Sequence, residues 1–330
     1  MLHIVFIADD NYIKFLAVLM MSIVKKTQKA TKDDKKYSFH ILSDFITEEN
    51  HQKLRRFEEE LCAIYPCEIL THIVENNEFK GAKAWGFEEA GANHLTYLRF
   101  YIADFIKAER CLYLDVDMLA MGDFRELFEM DLGDKFAAVV LDSLYLPKHT
   151  IPARNSSNED ILLNPNHHFN AGFLLLNVKK FKEADIKTGA LNFLNDYAPT
   201  LCDQDILNIL FADEILYLPL EYNFVRFSCE PHRIFKGDGE NHTIRYTKEE
   251  HFKALKNLKI VHYNTNIKPW KYPDDMEDKL TVSFHKTWWD EALQTPIFSE
   301  ELSLINQKLR RKWKWTFRRM RRRLKNLLRL

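Results

Sequence analysis

The sequence predicts an α/β fold built on a mostly parallel central sheet, and three observations carry that prediction. Short apolar runs of strand type alternate with amphipathic segments of helical period from residue 2 to about residue 263. The first five segments read strand, helix, strand, helix, strand, an order that implies right-handed crossovers and parallel neighbours. The apolar run at 110–114 ends in two aspartates, Asp115 and Asp117, and α/β proteins bind ligands at the carboxyl ends of strands.

With 330 residues, 46% hydrophobic and 13% aromatic, the chain can bury a sizeable core, which excludes an intrinsically disordered protein. That length suits two domains, or one large α/β domain with an appendage. The formal net charge of −1 conceals an asymmetry. Residues 302–330 carry 12 Lys and Arg and no acid, which leaves 35 basic against 48 acidic residues, or −13, for 1–301. Five cysteines, Cys62, Cys67, Cys111, Cys202 and Cys229, form no Cys-x-x-Cys pair and read as buried thiols in a reducing cytosol. The N-terminus has no basic leader, and Asp9-Asp10-Asn11 interrupts its apolar residues, which argues against a signal peptide. The apolar run 15–24 is shorter than the roughly 20 residues a membrane span requires.

Residues 2–8, LHIVFIA, are apolar except for His3, as a strand buried on both faces would be. Asp9, Asp10 and Asn11 follow, either to bind a ligand or to cap the helix expected over 12–26. A strand over 37–42, a helix over 48–63 and a strand over 68–74 come next. The helix expected over 96–107 carries Arg99, which faces solvent by default and clamps an anion if the helix borders the site. A strand over 136–141 ends at Asp142. The polar stretch 143–169, with Pro147, Pro152 and Pro165, is longer than an ordinary connection and reads as a lid. Asn170-Ala171-Gly172 opens a strand over 173–177, and amphipathic helices follow to about 197. Cys202-Asp203-Gln204-Asp205 heads an apolar helix, where the macrodipole favours acids. A strand over 214–218, a less regular segment over 221–258, a strand over 259–263 carrying His262, and a helix over 283–293 complete the body.

On an extended segment Asp115 and Asp117 would share a face while Val116 turns into the core. Alone, Asp-x-Asp reads as a solvated turn; in company it suits a hard divalent cation that itself holds a phosphate. Nine glycines with no G-x-G-x-x-G and no G-x-x-x-x-G-K-[ST] remove the main support for dinucleotide and P-loop sites. Near the C-terminus Leu309, Trp313, Phe317, Met320, Leu324, Leu327 and Leu328 recur at three or four residues among Arg and Lys. Such a helix, over 308–330, lies in an anionic membrane interface, each basic residue near the surface adding about 1 kcal/mol. A basic helix also tracks nucleic acid, but lipid fits better, and no nucleic acid is expected.

Six pieces carry a family resemblance: IVFIADDNY at 4–12, TYLRFYIAD at 96–104, LYLDVDML at 112–119, FNAGFLLLN at 169–177, DQDILN at 203–208 and VHYNTNIKPW at 261–270. In this order and spacing the chain resembles the bacterial lipopolysaccharide galactosyltransferases and glucosyltransferases of glycosyltransferase family 8, distant relatives of glycogenin. The resemblance implies a GT-A type nucleotide-sugar-binding fold over 1–270, to which a helical extension over 271–301 and the basic tail over 302–330 are added. It implies retaining transfer of galactose or glucose from a UDP-sugar to a lipopolysaccharide or lipo-oligosaccharide core. It places Ile7, Asp9, Asn11 and Tyr12 around the nucleotide, Lys268 on the diphosphate, and Asp115, Asp117 and His262 as ligands of Mn²⁺ or Mg²⁺. Arg99, Asp142, Asn170, Asp203 and Gln204 would surround the donor hexose, with Gln204, Asp203 and Asp142 as catalytic candidates. The glycine the family usually carries two or three residues after the metal histidine is absent from Asn264-Thr265-Asn266.

Glycosyl transfer from UDP must stabilise a departing diphosphate, and a divalent metal does so as a Lewis acid. An imidazole in an otherwise oxygen-only site tips the preference toward Mn²⁺. The expected mechanism is front-face substitution, with Gln204 steadying the oxocarbenium-like centre and Asp203 accepting a sugar hydroxyl. The expected setting is the cytoplasmic face of the membrane, where the tail meets a lipid-linked oligosaccharide acceptor. Two other readings stand beside it: a UDP-sugar transferase acting on protein or a soluble glycan, and a non-catalytic protein that binds through its basic tail.

Overall fold

The structure is a computed structural model, and it describes residues 1–27, 35–82, 94–225, 245–264, 267–276 and 284–327, without the side chains of 315–327. Strands β1 (Leu2–Ile7), β2 (Tyr37–Ser43) and β3 (Cys67–Ile73) alternate with helices α1 (Ile13–Lys26) and α2 (Glu48–Cys62). They join β4 (Arg110–Leu114), β6 (Ala137–Leu141), β9 (Phe169–Asn177) and β10 (Ile215–Tyr217) in a seven-stranded sheet of order β10-β6-β9-β4-β1-β2-β3. Only β9 runs antiparallel to its neighbours in this sheet, pairing with β4 and β6.

Alternation along each strand feeds two cores. Ile4, Phe6, Leu112, Leu114, Phe173 and Leu175 face α1 and α2. Val5, Cys111, Tyr113, Leu174 and Leu176 face the opposite layer, which contains α4 (Val178–Glu183), α5 (Ile186–Asp196) and α6 (Asp203–Phe211). Burial on both sides explains the unbroken apolar runs, since each fully buried side chain of this size contributes roughly 1.5–3 kcal/mol.

A small second sheet decides the site. β5 (Met118–Ala120) pairs antiparallel with β12 (Ile260–His262), which pairs in parallel with β11 (Phe224–Val225). The register sets His262 opposite Met118, so a residue far along the chain arrives beside Asp117. The Tyr263 amide donates to the Asp117 carbonyl at 2.8 Å and fixes that meeting.

Several expectations change in detail. The stretch expected to be a helix over 96–107 is a 3-10 segment, His94–Tyr101, followed by the short helix α3 (Ile102–Phe105). Leu95, Tyr97, Leu98, Arg99, Phe100 and Tyr101 are all buried, so this segment has no solvent face for an amphipathic helix to present. Arg99 is accordingly in the interior, not in solvent. Residues 143–169 contain a hairpin of β7 (Thr150–Ile151) and β8 (Ile161–Leu162), and β9 begins at Phe169, ahead of the expected 173. The less regular 221–258 holds β11 and helix α7 (Lys248–Lys256), which starts at a Thr247–Glu250 capping box; 226–244, with Cys229, lie outside the described residues. Cys67 and Cys111 are buried as expected, but Cys62 is exposed.

Helix α8 (His285–Ala292) packs Trp288 and Trp289 against α1, and α9 (Ser299–Leu327) follows. The boundary expected at 302 falls inside α9. Leu302 and Asn306 are buried, Arg310 pairs with Asp274, and the Trp313 ring stacks on Tyr272 at 5.3 Å, so the first half of α9 belongs to the body. Phe317, Met320, Leu324, Leu327 and Leu328 lie outside the described side chains. Among the described residues no helix is long and apolar enough to cross a membrane.

Candidate active site

Asp115 and Asp117 do not share the face of an extended strand. β4 ends at Leu114, residues 116 and 117 form a turn, and β5 begins at Met118. The turn buries Val116 and brings both carboxylates together by chain reversal. Ligand atoms of Asp115, Asp117 and His262 all lie within 4.8 Å of one another. His262 Nε2 is 3.2 Å from Asp117 Oδ1 and 3.7 Å from Asp115 Oδ2.

The chemistry of this group fits a cation. Asn223 Nδ2 donates to Asn170 Oδ1 at 2.9 Å, which leaves Asn223 Oδ1 as the acceptor for His262 Nδ1, also at 2.9 Å. With Nδ1 committed to Asn223, Nε2 is the ring atom that faces the two carboxylates, and a shared divalent ion would take its lone pair together with theirs. Gly172 keeps the space open. A Cβ there would fall 2.5 Å from His262 Cε1 and 2.6 Å from Asp115 Oδ2, so only glycine lets β9 approach this closely. Burial pushes the Asp117 carboxyl up, but Lys268 and His262 outweigh it and hold its pKa well below the usual carboxylate range.

Behind the aspartates Arg99, 4% exposed, ties the site to the second core. Its Nη2 contacts Asp115 Oδ1 at 3.2 Å, its Nη1 contacts Asp203 Oδ2 at 2.7 Å and donates to the Ala171 carbonyl at 2.7 Å, and its guanidinium lies 4.5 Å from the centre of the Tyr113 ring. Tyr113 donates to Asp115 Oδ1 at 2.6 Å. Asp203 accepts from Thr96 through its other oxygen. Burial raises the Asp203 carboxyl to a pKa of about 6, Arg99 and Thr96 opposing and Asp115 adding to the rise.

Gln204 occupies a defined position at the head of α6. Its Oε1 accepts from Asn170 Nδ2 at 3.2 Å and the Ala171 amide at 3.1 Å, while its Nε2 donates to Asp142 Oδ2 at 3.1 Å. The side chains of His262, Asn223, Asn170, Gln204 and Asp142 thus form one hydrogen-bonded chain.

A cavity of about 210 Å³ opens over the aspartates, lined in part by Ile7, Asp9, Tyr12, Arg99, Asp115, Asp117 and Lys268. Asp9 Oδ1 accepts the Tyr12 amide at 2.9 Å. Asp10 serves structure instead, accepting from the Thr47 amide at 2.8 Å and Asn50 Nδ2 at 2.7 Å. Asn11 is exposed and is not among the cavity-lining residues. Lys268 Nζ pairs with the Asp117 carboxylate and donates to the Tyr263 carbonyl at 2.8 Å. Next to it Trp270 stacks on Phe15 at 4.4 Å, and Trp289 Nε1 donates to the Pro269 and Tyr272 carbonyls, so the α1 and α8 packing holds this lysine in place.

Sequence reasoning did not single out Asn223, Thr96, Tyr113 or Gly172 for these contacts. Tyr113 precedes Asp115 by two residues and could have been found by strand periodicity. Asn223 lies outside the six family-like pieces and carries no local signal.

A mostly parallel sheet with one reversed strand, and an Asp-x-Asp turn met by a distant histidine over a cleft, define a glycosyltransferase of the GT-A class. The chain belongs to glycosyl transferase family 8, whose family profile matches residues 3–274. A putative glycosyltransferase of Haemophilus influenzae is 29% identical over 228 residues, covering 68% of this chain and 63% of the relative. This chain therefore spans less than two-thirds of that relative's length. The lipopolysaccharide 1,3-galactosyltransferase of Salmonella typhimurium is 25% identical over 318 residues, covering 91% and 84% of the two chains. A galactosyltransferase, LgtC, crystallised with donor and acceptor sugar analogues, shares the fold with a TM-score of 0.64 at 23% identity, covering 88% of this chain and 95% of its own.

Proposed function

We propose that the chain is a retaining, metal-dependent hexosyltransferase that moves galactose or glucose from a UDP-sugar to a lipopolysaccharide or lipo-oligosaccharide core. The observation that carries this reading is the convergence of Asp115, Asp117 and His262 at a cavity that Lys268, Asp9 and Tyr12 also line or border. Asp115, Asp117 and His262 would hold Mn²⁺ or Mg²⁺, and the bound ion would supply Lewis-acid neutralisation of the departing diphosphate.

The chain's own residues do the rest. Ile7, Asp9 and Tyr12 receive the nucleoside. Lys268 exchanges the Asp117 carboxylate for phosphate as a point charge. Both Asp203 oxygens are engaged, one by Arg99 and one by Thr96, which supports its role as an acceptor for a sugar hydroxyl and disfavours it as a nucleophile. Gln204, held by Asn170, Ala171 and Asp142, presents a fixed dipole where positive charge develops at the anomeric carbon. The leaving phosphate takes the acceptor hydroxyl proton on the same face, and retention follows.

The acceptor assignment rests on the name of the Salmonella relative and on the basic C-terminal stripe, which suits a peripheral enzyme at the cytoplasmic membrane face. The test is hydrolysis of UDP-galactose, UDP-glucose and their N-acetyl forms with Mn²⁺. Asp117→Asn should abolish metal-dependent turnover with folding near normal; undiminished turnover in that variant overturns the metal assignment.

A further inference from the structure

Among the described residues a second group of metal-ligating side chains lies where the 143–169 stretch meets α6, and the donor site makes no use of it. Asp205 is fully buried, and its Oδ2 is committed to the chain: it accepts the Thr200 and Leu201 amides, each at 2.8 Å. Its Oδ1 faces two histidines, His149 Nε2 at 2.7 Å and His168 Nε2 at 3.9 Å. Candidate ligand atoms of the three residues all lie within 4.8 Å of one another. His168 is 3% exposed, and neither of its ring nitrogens has a hydrogen-bond partner.

A buried imidazole with neither ring nitrogen hydrogen-bonded is costly, so a side chain in this state beside a carboxylate and a second imidazole calls for a ligand. A metal ion satisfies the three donors at once. Two imidazoles and one carboxylate suit a borderline transition ion of the zinc type better than Ca²⁺ or Mg²⁺, which prefer all-oxygen shells.

We propose that His149, His168 and Asp205 bind a zinc-type divalent ion that fastens the 143–169 stretch to the head of α6. The three ligands come from three separate segments: the turn before β7, the residue before β9, and the first turn of α6. Asp203 and Gln204 stand immediately before Asp205, so the ion anchors the helix end that carries two donor-site residues. Its role is structural and is separate from the Asp115, Asp117 and His262 group.

The experiment uses the full-length, tag-free chain carrying Asp115→Asn and Asp117→Asn, so the donor-site group does not take up the probe. After chelator treatment and dialysis, ZnCl₂ is titrated calorimetrically, and CoCl₂ is followed by its visible absorption. One equivalent of Zn²⁺ and a low-coordinate Co²⁺ spectrum are expected. His149 is only partly buried, so His149→Gln keeps the fold. In that background it should weaken Zn²⁺ binding by at least the roughly 100-fold that loss of an outer-shell partner can cost. His168→Gln, checked for folding by circular dichroism, should do the same. Absence of stoichiometric Zn²⁺ uptake, or uptake unchanged in His149→Gln, overturns the proposal.

Discussion

Asn223 Oδ1 stands 2.9 Å from His262 Nδ1, and Asn223 Nδ2 stands 2.9 Å from Asn170 Oδ1. The second contact fixes which way the Asn223 amide points, and the first then fixes which histidine nitrogen carries the proton. Nε2 is the ring atom left to face the aspartate pair.

From this it follows that Asn223→Ala should lower Mn²⁺ affinity by roughly 10- to 100-fold, the usual effect of removing the partner that orients a metal-binding histidine. Titration of Mn²⁺ by electron paramagnetic resonance measures it directly. An unchanged affinity would show that the imidazole needs no such support.

Gly172→Ala should be more damaging than its size suggests. The added methyl would overlap His262 Cε1 at 2.5 Å and Asp115 Oδ2 at 2.6 Å, and a shift of about 1 Å in a reacting constellation costs on the order of 100-fold in rate. Comparing Mn²⁺-dependent turnover with thermal unfolding separates site damage from global damage; the site should suffer far more.

Activity should fall on acidification. Burial raises the Asp203 carboxyl to about 6, and below that pH the protonated group no longer accepts from a sugar hydroxyl. A profile of kcat/KM should show an acid limb near pH 6. Asp203→Asn should lower the rate across the whole range and remove that limb; a limb that persists in this variant belongs to another group.

Two truncations of α9 should separate. Removing 315–330 deletes 7 of the 12 basic residues beyond 301 while sparing Leu302, Asn306, Arg310 and Trp313, so the fold should stay intact while sedimentation with anionic vesicles is lost. Cutting at 302 also discards buried Leu302 and the Arg310 to Asp274 pair, and should cost about 2 kcal/mol or more in chemical denaturation. Vesicle binding that survives the shorter truncation would sink the interfacial role of the tail.

The sequence alone determined the strands of the seven-stranded sheet, because burial on both faces writes itself as unbroken apolar runs such as LHIVFIA and RCLYL. It also pointed to Asp115, Asp117 and His262, each through a recognisable local piece. Hydrophobic period could not tell that the stretch around Arg99 is a largely buried 3-10 segment, nor that its guanidinium enters the core to meet Asp115 and Asp203. Nor could it find Asn223, whose role exists only because β11, β12 and β5 form a separate sheet at the Asp-x-Asp turn. Local pattern reports which side of an element is buried; which distant polar atom will meet another is decided by strand register and chain reversal, and those are properties of the folded whole.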